Sequence, residues 1–120
     1  MLKYQVEGLG EISLFVNKGV IAEFEDYFGK PWYLSVSQGF TNKHWFVFIH
    51  KAYEVAQIRL RKEPVYTLKE LEAFIDDNTF LEMIKAIDSE LEKVLELSKI
   101  KQALDAAIES QDKKKIEAGS

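Results

Sequence analysis

The chain contains no cysteine. Disulfide staples, thiolate metal sites and thiol nucleophiles are thereby excluded, and the composition fits a reducing cytoplasm. It has only two prolines, Pro31 and Pro64, and each falls where a helix is expected to have stopped. Its longest unbroken apolar run, Trp45 to Ile49, is far too short to cross a bilayer, and the N-terminus lacks the basic-then-apolar layout of a signal peptide. A concentrated basic face is also missing: 16 lysines and arginines stand against 20 acids, which argues against nucleic acid as a partner. No G-x-S-x-G elbow, phosphate loop or dinucleotide fingerprint occurs. These absences lead us to expect an intracellular protein with no membrane, nucleic-acid or cofactor partner.

What is present, in 120 residues, suffices for one buried core. Its centre is the stretch from Thr41 to Lys62. Trp45, Phe48, Ile49, Ala52, Tyr53, Ala56 and Leu60 recur at spacings of three and four, and Phe46, Val47, Val55 and Ile58 fill most of the remaining circumference. A helix apolar nearly all round belongs in the middle of a domain, with other elements laid on it.

Before it, Leu2, Tyr4 and Val6, then Ile12, Leu14 and Val16, alternate with polar residues on either side of Gly8-Leu9-Gly10. That pattern predicts a β-hairpin with its even-numbered side chains facing the core and Phe15 on the exposed face. Asn17 caps a short amphipathic helix from Lys18 to Phe28, stopped by Gly29 and Pro31. In residues 30–40, Trp32, Leu34 and Val36 alternate with Tyr33, Ser35 and Ser37, which suits either a third short strand or a buried loop with an aromatic anchor. Thr41 or Asn42 is the expected cap of the central helix, and Glu63-Pro64 its expected end.

Thr67 and Glu70 then form a capping box, with Tyr66 placed to pack on Leu71. After Asp76-Asp77-Asn78, Thr79 and Glu82 repeat the box spacing. Phe80, Met83, Ile84, Ile87, Leu91, Val94 and Leu95 next run at heptad-like intervals. Beyond Leu97 the stripe narrows and slips to Ile100, Leu104, Ala107 and Ile108, and residues 110–120 are polar and lysine-rich. We therefore expect one α+β domain over residues 1–97: an N-terminal hairpin or small antiparallel sheet on a mainly helical body, with a buried central helix and a long C-terminal helix. Residues 98–120 are expected to extend that helix and fray into a polar tail. Charge is uneven, with five lysines and arginines against two glutamates over residues 41–63 and nine acids against three lysines over residues 67–97. The halves are suited to attract each other, or copies of each other.

Few residues suggest chemistry. His44 and His50 are six apart, whereas a chelating pair on a helix needs three or four. Asp76 and Asp77 fall at a helix joint, where such side chains bond to nearby backbone. A small metal-dependent hydrolase using these four residues is the competing enzymatic reading. The aromatics are the other clue: Trp32, Tyr33, Phe40, Trp45, Phe46 and Phe48 crowd into residues 32–48. Core packing explains most of them, and a surplus would anchor another protein.

The order of parts resembles the tail assembly chaperones of long-tailed bacteriophages. The likeness rests on the opening hairpin, on the helix Val20-Ile21-Ala22-Glu23-Phe24-Glu25-Asp26-Tyr27-Phe28-Gly29, on an apolar helix, and on the joint from Pro64 to Asp76, with Leu71 where an acid is expected. A final helix over Phe80 to Leu95 completes it. The resemblance implies a non-enzymatic protein of the host bacterial cytoplasm that binds the tape measure protein, keeps it soluble until tail tube protein replaces it, and self-associates. The expected protein-binding residues are Phe15, Trp32, Tyr33 and Phe40 on an aromatic surface, and Ile100, Leu104 and Ile108 on the terminal stripe. An inhibitory or adaptor protein that blocks a host enzyme is a further reading of the same surfaces.

Overall fold

A computed structural model of the protein describes residues 1–95. The expected extension over residues 98–120, with Ile100, Leu104 and Ile108, lies outside the described residues. The architecture is α+β: a two-stranded antiparallel sheet followed, among the described residues, by five helices.

Strands β1 (Leu2–Val6) and β2 (Gly10–Leu14) pair with Leu2 opposite Leu14, Tyr4 opposite Ile12 and Val6 opposite Gly10. Alternation places Ile12 and Leu14 in the core and leaves Lys3 and Gln5 in water. Two strands alone are marginal in water, so this hairpin needs cover. The Tyr66 hydroxyl donates to the Leu9 carbonyl, and the Phe74 ring lies on Gly8 so closely that a Cβ there would meet it at 2.6 Å. With φ of +90°, Gly8 is glycine for both backbone and steric reasons.

Helix α1 (Lys18–Phe28) has the bounds its sequence predicts. Asn17 accepts from the Val20 N–H at 3.1 Å, and Gly29 closes the far end in the left-handed conformation.

The third strand or loop expected over residues 30–40 is instead helix α2 (Trp32–Gln38). Alternation over five residues is a weak signal, and local anchoring overrides it. Pro31 presets the first turn, and the Glu25 carboxylate accepts from the otherwise unpaired Trp32 N–H at 2.7 Å. Helical geometry puts Trp32 and Ser35 on the inner face and leaves Tyr33 and Val36 outside. The Ser35 hydroxyl, 1% exposed, has no hydrogen-bond partner among the described residues.

Helix α3 (Asn42–Arg59) is the centre of the domain. From His44 to Gln57 not one residue is exposed, and α1, β2 and helix α4 (Leu68–Phe74) pack on it. It stops at Arg59, short of the end expected at Glu63-Pro64. The Lys62 N–H bonds to the Gln57 carbonyl and the Arg61 N–H to Ile58, a Schellman closure with Arg61 at φ of +55° where glycine is usual. The loop beyond is held by the buried Tyr53, whose hydroxyl accepts from the N–H groups of Val65 and Tyr66 at 3.0 and 3.3 Å.

The Thr67–Glu70 capping box forms as expected at the start of α4. Helix α5 (residues 77–95) follows, but the predicted Thr79–Glu82 box is not its cap. Asp76 takes that role, its carboxylate accepting from the Thr79 N–H at 2.7 Å. Phe80, Met83, Ile87 and Leu91 bury the inner face of α5, and the rings of Phe46 and Phe80 stack at 4.4 Å. Among the described residues, Lys43–Glu72 at 2.8 Å is the ion pair joining the basic stretch to the acidic one. Both side chains are substantially exposed, so it contributes little to stability.

Two stability predictions follow from these contacts. Phe48→Ala, at a wholly buried position, should cost about 3–5 kcal/mol in urea unfolding. Arg61→Gly should add about 0.5–1 kcal/mol by relieving the left-handed backbone; a loss of stability would contradict this account of the helix end.

Candidate functional site

Among the described residues an open trough lies between α2 and α5, with a volume of about 440 Å³. One wall carries Trp32 and Val36, one helical turn apart on α2, followed by Phe40 and Trp45. The other carries Asp88, Leu91, Glu92 and Leu95, a single stripe over two turns of α5 and so about 10 Å long. The lining is mainly aromatic and aliphatic, and the two carboxylates supply its charge.

Its aromatic wall is set from below. Phe24 of α1, wholly buried, lies 5.3 Å from both the Trp32 and Phe40 ring centroids. Trp32 and Phe40 meet edge to face at 5.3 Å, and Phe40 meets Trp45 the same way at 4.9 Å. The protein's two tryptophans both line this trough. Any occupant will therefore be reported by intrinsic fluorescence.

On the opposite wall Asp88 and Glu92 sit one turn apart with like charge. Partial burial, with the Glu92 charge adding to it, holds the Asp88 carboxyl above the usual carboxylate range. The walls are side chains of helices whose own backbone groups are largely paired, so the trough offers no strand edge to an extended peptide. A segment docking there has to satisfy its own backbone, as a helix does, and present an apolar stripe at spacings of three and four.

Of the residues expected on an aromatic surface, the structure brings Trp32 and Phe40 together in the trough. Tyr33, 68% exposed, lies on the outer side of the same helix. Phe15 is elsewhere and is not the open aromatic the hairpin register suggests. It is half-buried, with the Arg59 guanidinium 4.0 Å from its ring centroid, and lines a separate hollow of about 120 Å³ with Met1, Leu2 and Glu90. Ile100, Leu104 and Ile108 lie outside the described residues. Sequence reasoning did not place Val36, Trp45, Asp88, Leu91, Glu92 and Leu95 at a site. The α5 stripe was visible in the sequence, but nothing in it specified that α2 would face its last two described turns.

No family model, curated protein or solved structure matches this chain.

Three of the four residues of the enzymatic reading, His44, His50 and Asp76, have structural partners. The His44 ring nitrogen accepts from the Thr41 N–H at 3.0 Å and completes the capping box of α3, while its ring packs on Phe28 and Phe40. His50 lies 3.1 Å from the Tyr66 carbonyl and 3.5 Å from Glu54. The Asp76 bond to the Thr79 N–H holds its carboxyl below the usual range. Among the described residues no group of three potential ligands gathers to hold a metal ion, and no helix is long and apolar enough to cross a membrane.

The two shifted carboxyls pull in opposite directions with pH. Asp76, lowered in the fold, stabilises above about pH 4 and loses its contribution as pH falls through its folded value. Asp88, raised in the fold, opposes folding as pH rises from about 4 through its folded value. Thermal melts should find Asp76→Ala less stable than the parent at pH 7, and Asp88→Asn slightly more stable. Both differences should narrow toward pH 3.

Proposed function

We propose that this protein is a non-enzymatic helix holder, acting as a tail assembly chaperone in the bacterial cytoplasm and seating helical segments of a tape measure protein in its trough. The observation that carries the reading is the trough itself: aromatic and aliphatic along two helical walls, open along its length, and shaped to take a third helix. Helices pack by setting rows of side chains at spacings of four into matching grooves, and Trp32–Val36 and Asp88–Glu92 are such rows. A long helical chain awaiting assembly exposes repeated apolar stripes of that kind. Covering them one segment at a time would keep it from aggregating, and the openness of the trough would let tail tube protein displace the holder.

The order of elements supports the same reading. A hairpin, a helix ending in Tyr27-Phe28-Gly29, an enclosed central helix, a capping-box joint and a long last helix follow one another as in the chaperones the sequence resembles.

Co-expression with a tape measure protein tests it. The parent should hold that protein in the soluble fraction. Val36→Arg should lower affinity at least tenfold by placing a charge in the trough from a position that is 51% exposed and free of core packing. Leu81→Arg, at a similarly exposed position outside the trough, should bind as the parent does. Equal solubility of the tape measure protein with and without the parent chain would overturn the proposal.

A further inference from the structure

We propose that in the free protein the trough is filled by the C-terminal segment of a second copy of this chain, residues 99–108, so that two molecules exchange tails reciprocally. The occupant is identified by three features. The first is chemistry: Ile100, Leu104 and Ile108 repeat at spacings of four, the stripe a two-walled helical trough accepts. The second is charge. Asp88 and Glu92 are the charged groups of the trough, and Lys99 and Lys101 flank the first anchor of the tail.

The third is where the described chain ends. Leu95 is part of the trough wall, and only residues 96–99 separate it from Ile100. A tail returning to its own trough would have to reverse within those four residues, Glu-Leu-Ser-Lys, of which Ser98 alone is a type that favours turns. Exchange between two identical chains then closes as a two-fold dimer, each trough receiving the other's stripe.

The inference needs only the trough and does not depend on a tape measure partner. If both hold, the tail is a placeholder that a helical partner displaces.

Sedimentation equilibrium and tryptophan emission on the full chain test it together. The parent should be dimeric at micromolar concentration. Leu104→Asp, outside the described residues, should be monomeric with red-shifted emission from Trp32 and Trp45, and a peptide of residues 97–112 should reverse that shift. Glu92→Lys and Lys101→Glu should each weaken the dimer at least tenfold, and the double variant should restore it. A monomeric parent whose emission still shifts in Leu104→Asp would mean a tail folded on its own trough and would overturn exchange. A dimer indifferent to Leu104→Asp, or a monomer whose emission is also indifferent, would overturn tail docking altogether. Solubility of the tape measure protein with the parent chain reads the chaperone proposal, and dimerisation of the parent alone reads this one, so the two proposals fail separately.

Discussion

The ring of Phe24 is the contact on which the trough depends. It is wholly buried and touches the rings of Phe28, Trp32, Phe40, His44 and Phe48. Those rings come from α1, α2, the loop after α2 and α3, so one side chain sets the mutual position of three helices. Aromatic packing is worth more than its area alone because the rings prefer particular offsets and tilts. That preference turns a seven-residue helix, too short to be stable by itself, into a fixed wall. With Phe24 truncated, Trp32 and Phe40 would lose their common floor, and the trough its aromatic side.

Enclosure of α3 commits its polar side chains to structural bonds. A helix unexposed over fourteen consecutive positions, His44 to Gln57, has to find partners for every polar group it carries inside. His44 goes to its own cap, His50 and Tyr53 hold the loop before α4, and Gln57 donates to the Glu63 carbonyl at 3.1 Å. The same loop fastens the hairpin through Tyr66, and α4 does so through Phe74 on Gly8. His50, Tyr53 and Tyr66 are engaged in joining one layer to the next. The surface left with distinctive character is the trough, whose character is apolar.

Several elements were legible because their signals are local. The hairpin register follows from alternation around Gly8 and Gly10, α1 from Asn17 and Gly29, and α4 from the Thr67–Glu70 box, each decided by residues within a few positions of one another. The misread elements share the opposite property. α2 depends on a carboxylate seven residues earlier and on rings from α1 and α3. The end of α3 depends on Arg61 adopting a conformation its residue type disfavours, which no sequence rule anticipates. At α5 the expected cap, Thr79, instead donates its own N–H to the Asp76 carboxylate three residues earlier.

The amino-acid sequence by itself determined the class of the fold, the enclosed central helix and the surplus of aromatics between residues 32 and 48, because periodicity and capping act over one or two turns. Tertiary structure alone decided which aromatics form a surface. Trp32 and Phe40 could have been core, as Phe48 is, or stranded singly, as Tyr33 is. They became one wall of a trough because Phe24 fixes them opposite the last two described turns of α5. Proximity of that kind is a property of packing between elements far apart in the chain, and no pattern within either element encodes it.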